Sequence, residues 1–248
     1  MRVAAIVVAG GVGSRLKSRQ HKPFVPLCGR PILVWTLRAF ARARPIDEVI
    51  LVVHDSDVAK AKALVRQHRI NKVTRVVRGG ATRLASVSCG LRALAPDPRW
   101  VVVHDGARPL VTPQIIEETL RAARASGAAI AAIPIVPTVK EVREDWVVRT
   151  LDRNHLWAVQ TPQAFRRDLL ERAHAKARAR GITATDDAAL VEALGCRVRI
   201  VMGSPRNIKV TTPEDLIIAK ALLKGRPSSM VNHRSTKDDR RYENRNRV

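Results

Sequence analysis

Val3–Ala9 is an unbroken apolar run that stops dead at Gly10-Gly11, and comparable short runs recur at 49–53, 74–77, 100–104 and 128–133. Strands with apolar residues at every position, not every second one, are buried on both faces. Between them lie amphipathic stretches of helical length at 31–43, 57–68, 83–94 and 113–126. Thr112-Pro113 opens the last of these with a capping hydroxyl and a first-turn proline. The pattern predicts an α/β, doubly wound, mostly parallel sheet with helices on both sides.

Residues 134–160 break that rhythm. Pro134 and Pro137 precede an alternating stretch at 138–142 and a second at 146–151, which reads as a protruding β-hairpin arm turning near 143–145. Helices at 168–180 and 186–194, a strand at 198–201 and a helix from Pro213 to about Lys224 follow. Thr212-Pro213-Glu214-Asp215 caps that last helix and adds first-turn acids. One domain is therefore expected over 1–225. Residues 226–248, with seven Lys or Arg, three Asp or Glu and few apolar side chains, read as a disordered basic tail.

The 248 residues carry a formal charge of +23. A dense cationic face suits nucleic acid, but here the basic residues are spread from Arg2 to Arg247, and 34 are Arg against 11 Lys. Eight aromatic residues supply a poor stacking platform for bases. The charge is read as favouring a small polyphosphate ligand, with no specific nucleic acid partner expected. No run reaches the ~18 to 20 apolar residues of a membrane span. Three scattered cysteines, Cys28, Cys89 and Cys196, form no metal or disulfide pattern. A cytoplasmic chain is expected.

Ala9-Gly10-Gly11-Val12-Gly13-Ser14-Arg15-Leu16 follows the first strand. It lacks the Gly-Lys-Ser/Thr ending of a P-loop, and Leu16 stands where a dinucleotide fingerprint has its third glycine. What remains is a turn whose bare N–H groups can wrap phosphates, with Arg15 beside it and Lys22 seven residues on. His104-Asp105-Gly106-Ala107-Arg108-Pro109 places an acid and an arginine at the carboxyl end of a buried strand, where open α/β sheets bind ligands. Asp105 could hold a ribose hydroxyl or stand beside Mg²⁺. A further glycine-rich turn, Gly79-Gly80-Ala81-Thr82, leads to Arg83 and Ser86 one helical turn apart. Arg153 and Lys209 each set a cation into an otherwise strand-like context.

In order and spacing these segments resemble the 2-C-methyl-D-erythritol 4-phosphate cytidylyltransferase family. Thr138, Leu151-Asp152-Arg153-Asn154 with Trp157, Gln160-Thr161-Pro162-Gln163, Thr185-Asp186-Asp187 and Asn207-Ile208-Lys209-Val210-Thr211 complete the match, over residues 3 to about 224. The resemblance implies a Rossmann-like nucleotidyltransferase that uses CTP, methylerythritol 4-phosphate and Mg²⁺, and releases CDP-methylerythritol and pyrophosphate. It implies that Arg15 and Lys22 stabilise the transition state, and that Arg153, Lys209 and Thr138 position the sugar phosphate. Gly10, Gly11, Gly13, Gly80, Ala81, Arg83, Ser86, Asp105 and Arg108 would bind the nucleotide, with Asp105 the metal's neighbour. It also implies a homodimer in which the arm reaches the partner's site.

Two departures stand out. The family usually has Pro-Lys-Gln, whereas this chain has His21-Lys22-Pro23; and Ala81 stands where an acid is common. The nearest rival, ribitol 5-phosphate cytidylyltransferase, tends to read Arg-Asp-His where this chain has Asp152-Arg153-Asn154. A basic nucleic-acid-binding protein is the alternative of another class.

Overall fold

The computed structural model describes residues 1–11, 14–16, 18 and 20–225. Gly13 and the tail expected at 226–248 lie outside the described residues.

All seven residues of β1 (Val3–Ala9) are buried, because alternate side chains enter two different cores. Val3, Ala5 and Val7 pack with α1 (Ile32–Arg42), whose Leu33, Leu37 and Phe40 face them. Ala4, Ile6 and Val8 point the other way. Between these elements come two short strands, β2 (Pro26–Leu27) and β3 (Arg30–Pro31), paired as a small ribbon. β4 (Glu48–Val53), α2 (Val58–Gln67), β5 (Val73–Arg78), α3 (Arg83–Arg92) and β6 (Trp100–Asp105) continue the alternation. β1 pairs in parallel with both β4 and β6, the arrangement that helix crossovers covering both faces produce.

α4 (Pro113–Ser126) begins as expected, with the Thr112 hydroxyl accepting from the Ile115 N–H, and ends at Gly127 with φ +89°. It leads to β7 (Ala128–Pro134). The arm follows, formed by β8 (Val139–Arg143) and β9 (Trp146–Leu151) as a separate antiparallel pair. It is narrower than the 134–160 span, because β7 runs to Pro134 and the chain re-enters the main sheet at Trp157. Its two-residue turn has Glu144 and Asp145 at φ +46° and +68°, the left-handed pair that suits a twisted hairpin.

β10 (Trp157–Arg166) was not legible as a strand. It is antiparallel to both its neighbours, β7 and β6, and carries Gln160, Thr161, Pro162 and Gln163 through the centre of the sheet. α5 (Arg167–Arg180), α6 (Asp187–Glu192), β11 (Arg199–Met202) and α7 (Pro213–Lys224) complete the order. Among the described residues the main sheet runs β11-β7-β10-β6-β1-β4-β5. The expectation of a doubly wound, mostly parallel sheet holds, with β10 the antiparallel member. No described helix is long and apolar enough to cross a membrane.

A third, smaller apolar cluster decides where the site forms. Leu16, Val25, Leu27, Ile32, Leu110, Val210 and Ala219 pack together beyond the strand ends. Leu16, which spoils a dinucleotide fingerprint, is here an anchor. Its burial beside Val210 brings the neighbouring residues Arg15 and Lys209 to the same mouth.

Candidate active site

A cleft of about 260 Å³ opens at the carboxyl ends of β1 and β6. It is lined by Gly10, Gly11, Arg15, Lys22, Gly80, Ala81, Arg83, Ser86, Asp105 and Lys209, all expected site residues, and by Val8, Ala9, Pro23, Thr82 and Ala107. Residues up to about two hundred positions apart thus share one wall, as the crossover topology of an open sheet dictates.

Asp105 is the hub. Lys209 Nζ lies 2.8 Å from its Oδ2 and Arg83 Nε 3.1 Å from its Oδ1, with Arg108 Nε at 3.9 Å. Burial disfavours its charge, but Arg83 first, then Lys209 and Arg108, outweigh that and hold its carboxyl well below the usual range. Behind it, Arg83 Nη1 donates to Asp187 Oδ2 at 2.7 Å, and the other Asp187 oxygen is 2.8 Å from His174 Nε2. Burial works against the Arg83 charge, and the two carboxylates more than restore it. Arg83 is therefore a fixed cation with its planar fork already orientated.

Lys22 sits half-buried on a single 3-10 turn, Lys22–Phe24, closed by Pro23. Burial lowers its pKa below the ordinary lysine value, and nearby Lys209 and Arg15 lower it further, while Asp105 and Asp215 pull the other way. Three cations, Arg15, Lys22 and Lys209, thus share one opening, where Asp105 is the carboxylate among the described lining residues. Such a cavity is short of negative charge, and a polyphosphate supplies it.

The turn at Gly79–Thr82 is built for backbone contact. The Thr82 hydroxyl caps α3 by accepting from Ala85 N–H, and Ser86 Oγ accepts the Gly80 N–H at 3.2 Å. A Cβ on Gly80 would come within 2.5 Å of the Ala85 Cβ. Ser86 lines the cleft, but its hydroxyl also bonds the Thr82 carbonyl, so it shapes this loop. Thr82 went unassigned from sequence, although a threonine ahead of a helical stretch is an N-cap signal.

Arg108 stands beside the lining residues: its Nη1 donates to the Asn207 carbonyl at 2.7 Å and its Nε lies 3.9 Å from Asp105 Oδ2. Its role here is to tie the loop before Lys209 to the end of β6. Asn207, fully buried, bonds Gln160 Oε1 and the Thr161 carbonyl through Nδ2, and Gln160 Nε2 donates to the Ser204 carbonyl. The Gln160–Gln163 segment, with its cis Thr161-Pro162 bond, is thus a brace for the Lys209 loop.

Thr138 and Arg153 are not brought to this cleft. Both are exposed at the base of the arm, where Arg153 Nη1 donates to the Val136 carbonyl. For Mg²⁺, Asp105 is the one carboxylate among the described lining residues, which fits an ion that takes one carboxylate and draws its other oxygens from substrate phosphates and water.

The comparisons agree with one another. The model of the family IspD, 2-C-methyl-D-erythritol 4-phosphate cytidylyltransferase, matches residues 3–225. The cytidylyltransferase of that name from Pelotomaculum thermopropionicum is 48% identical over 232 residues, covering 93% of this chain and 98% of the relative. That from Geobacillus kaustophilus is 44% identical and covers 91% and 99%. Among solved structures, the 4-diphosphocytidyl-2C-methyl-D-erythritol synthase of Anaerococcus prevotii superposes with a TM-score of 0.80 at 34% identity, covering 90% of this chain and 98% of that one. The 2-C-methyl-D-erythritol 4-phosphate cytidylyltransferase of Thermus thermophilus gives 0.73 at 36%, covering 88% and 98%.

Proposed function

The chain belongs to the 2-C-methyl-D-erythritol 4-phosphate cytidylyltransferase family, an enzyme that joins CTP and methylerythritol 4-phosphate in isoprenoid biosynthesis, and we propose how its residues do so. The ribitol 5-phosphate and nucleic-acid readings give way to that membership. A phosphate oxygen of the sugar phosphate attacks the α-phosphorus of CTP in line. The new P–O bond forms as the bond to pyrophosphate breaks, and pyrophosphate leaves. The attacking oxygen is already ionised, so no general base is required. Catalysis then consists of positioning and charge neutralisation.

The observation that carries this reading is the convergence of Arg15, Lys22, Arg83 and Lys209 on one cleft around Asp105. Arg15 and Lys22 neutralise the charge that builds on the reacting phosphates. Lys209 leaves Asp105 for the sugar phosphate, and its partly exposed side chain supports that exchange. Gly10, Gly11 and the Gly80-Ala81 turn hold the nucleotide, with Arg83 and Asp105 fixing its ribose end. Gly13 completes the first turn in this reading. Mg²⁺, held at Asp105, would neutralise polyphosphate charge.

A homodimer completes the site. Val136, Val142, Trp146, Val147 and Val148 on and beside the arm are 51 to 80% exposed, an apolar surface that a second copy would cover. Thr138 and Arg153 then belong to the partner's cleft, which accounts for their distance from their own. The catalytic unit spans 1–225, with 226–248 outside it. The free cysteines suit a reducing compartment, and we assign the enzyme to the cytoplasm.

Pyrophosphate release from CTP with methylerythritol 4-phosphate, run against ribitol 5-phosphate, tests the reading. Release is expected with the first alone, and Arg15→Ala or Lys22→Ala should lower turnover by more than about 100-fold, the scale of one lost transition-state donor. Release with ribitol 5-phosphate, or unchanged turnover in both variants, overturns it.

A further inference from the structure

One cluster of metal-ligating side chains has no part in the reaction above. His21 precedes the turn that carries Lys22, His54 follows β4, and Asp57 precedes α2. His21 Nδ1 lies 2.6 Å from Asp57 Oδ2. The His54 ring meets the His21 ring edge-on, with centroids 5.3 Å apart and planes at 76°. One ligand atom from each of the three residues lies within 4.8 Å of the others.

We propose that His21, His54 and Asp57 form a binding site for a divalent transition-metal ion of the zinc class. Two imidazoles and a carboxylate are a donor set that suits zinc, nickel or copper and is foreign to Mg²⁺, which takes oxygen. Three protein ligands leave a tetrahedral ion one position for water. Ligand atoms of a tetrahedral zinc at about 2.0 to 2.1 Å from the metal stand roughly 3.4 Å apart, so modest side-chain rotation closes the cluster. An Asp57–His21 hydrogen bond alone needs a single histidine. The second, His54, caps the Asp55–Asp57 turn through the Ser56 N–H, and its ring stands beside that of His21 as the third donor.

Its surroundings favour a ligand over a structural core. Asp57 is 7% exposed, which holds one donor rigid, while His21 is half-buried and His54 exposed, which leaves an entry path. His54 Nδ1 lies 2.8 Å from the Ser56 hydroxyl and accepts the Ser56 N–H, contacts that hold the ring in place beside Asp57. A bound ion would fasten the turn that carries Lys22 to the start of α2.

The full-length chain, stripped with a chelator, is titrated with Zn²⁺ against a chromophoric competitor, and with Co²⁺ for its visible spectrum. One equivalent is expected, bound with nitrogen and oxygen ligands and no thiolate charge-transfer band. His54→Asn and His21→Asn should each weaken zinc binding by at least tenfold. His54→Asn should retain the thermal midpoint and the pyrophosphate release of the metal-free protein, so the loss is one of ligation and not of folding. A thiolate band, binding unchanged in His54→Asn, or no binding tighter than about 1 mM overturns the proposal. The readout is the metal itself, so its failure leaves the cytidylyltransfer reading untouched.

Discussion

At the scale of single residues, the site works by keeping charges that burial would remove. Lys22 is the clearest case, because burial and the cations Lys209 and Arg15 lower its pKa. The free enzyme should therefore lose the Lys22 charge at a lower pH than an ordinary lysine would, and CTP, a polyanion, should restore it. The basic limb of kcat/KM should lie below that of kcat, and Lys22→Arg should move both upward beyond the accessible range. Coincident limbs in the unmodified enzyme would contradict this. His104 shows the opposite behaviour. Burial, aided by Arg108 and opposed by Asp105, pushes it down to about 3. Thr161 Oγ1 accepts the Asp105 N–H and lies 3.0 Å from His104 Nδ1, so the imidazole is tied into the same buried network. The folded pKa is below the unfolded 6.5, so only the unfolded chain gains a proton between pH 6.5 and 3. The His104 contribution to stability is full above pH 6.5 and shrinks as the pH falls towards 3. Denaturant midpoints at pH 7 and pH 5 should differ more in the parent than in His104→Asn; equal differences would show that His104 is protonated when folded.

At the scale of elements, the turns after β1 and β5 act through backbone. The sequence marked both by their glycines, and the structure explains the need at Gly80, where a methyl would press on Ala85. Gly80→Ala should raise the Michaelis constant for CTP by about tenfold or more, with a much smaller effect on that for the sugar phosphate. Steady-state kinetics varying each substrate in turn check this; equal changes would move the loop's role away from the nucleotide. β10 escaped the sequence reading for a physical reason. A strand with Gln, Thr and Pro at its centre lacks the apolar signal, and its amides find partners in other segments: Asp186 for Gln163 Nε2, Ser204 and Asn207 for Gln160.

At the scale of the whole molecule, the proposed homodimer would cover the arm's exposed Trp146 and valines. Trp146→Asp should convert a dimer to monomers by light scattering. Mixed dimers of Arg15→Ala and Arg153→Ala subunits should regain activity that neither variant has alone, because one of their two clefts is then intact. Proven mixed dimers without recovery would refute the crossing arm. By itself the sequence determined the two-faced burial of the strands, the cap-bounded helices and the hairpin, because each depends on periodicity or on residues a few positions apart. It also named nearly all the cations of the cleft. Only the tertiary structure decided that Leu16 and Val210 share one apolar cluster, that Arg108 ties the loop before Lys209 to the end of β6, and that Arg83 is held between Asp105 and Asp187. Those facts are contacts between segments 22 or more residues apart, and no local pattern encodes which distant partner will satisfy a buried charge.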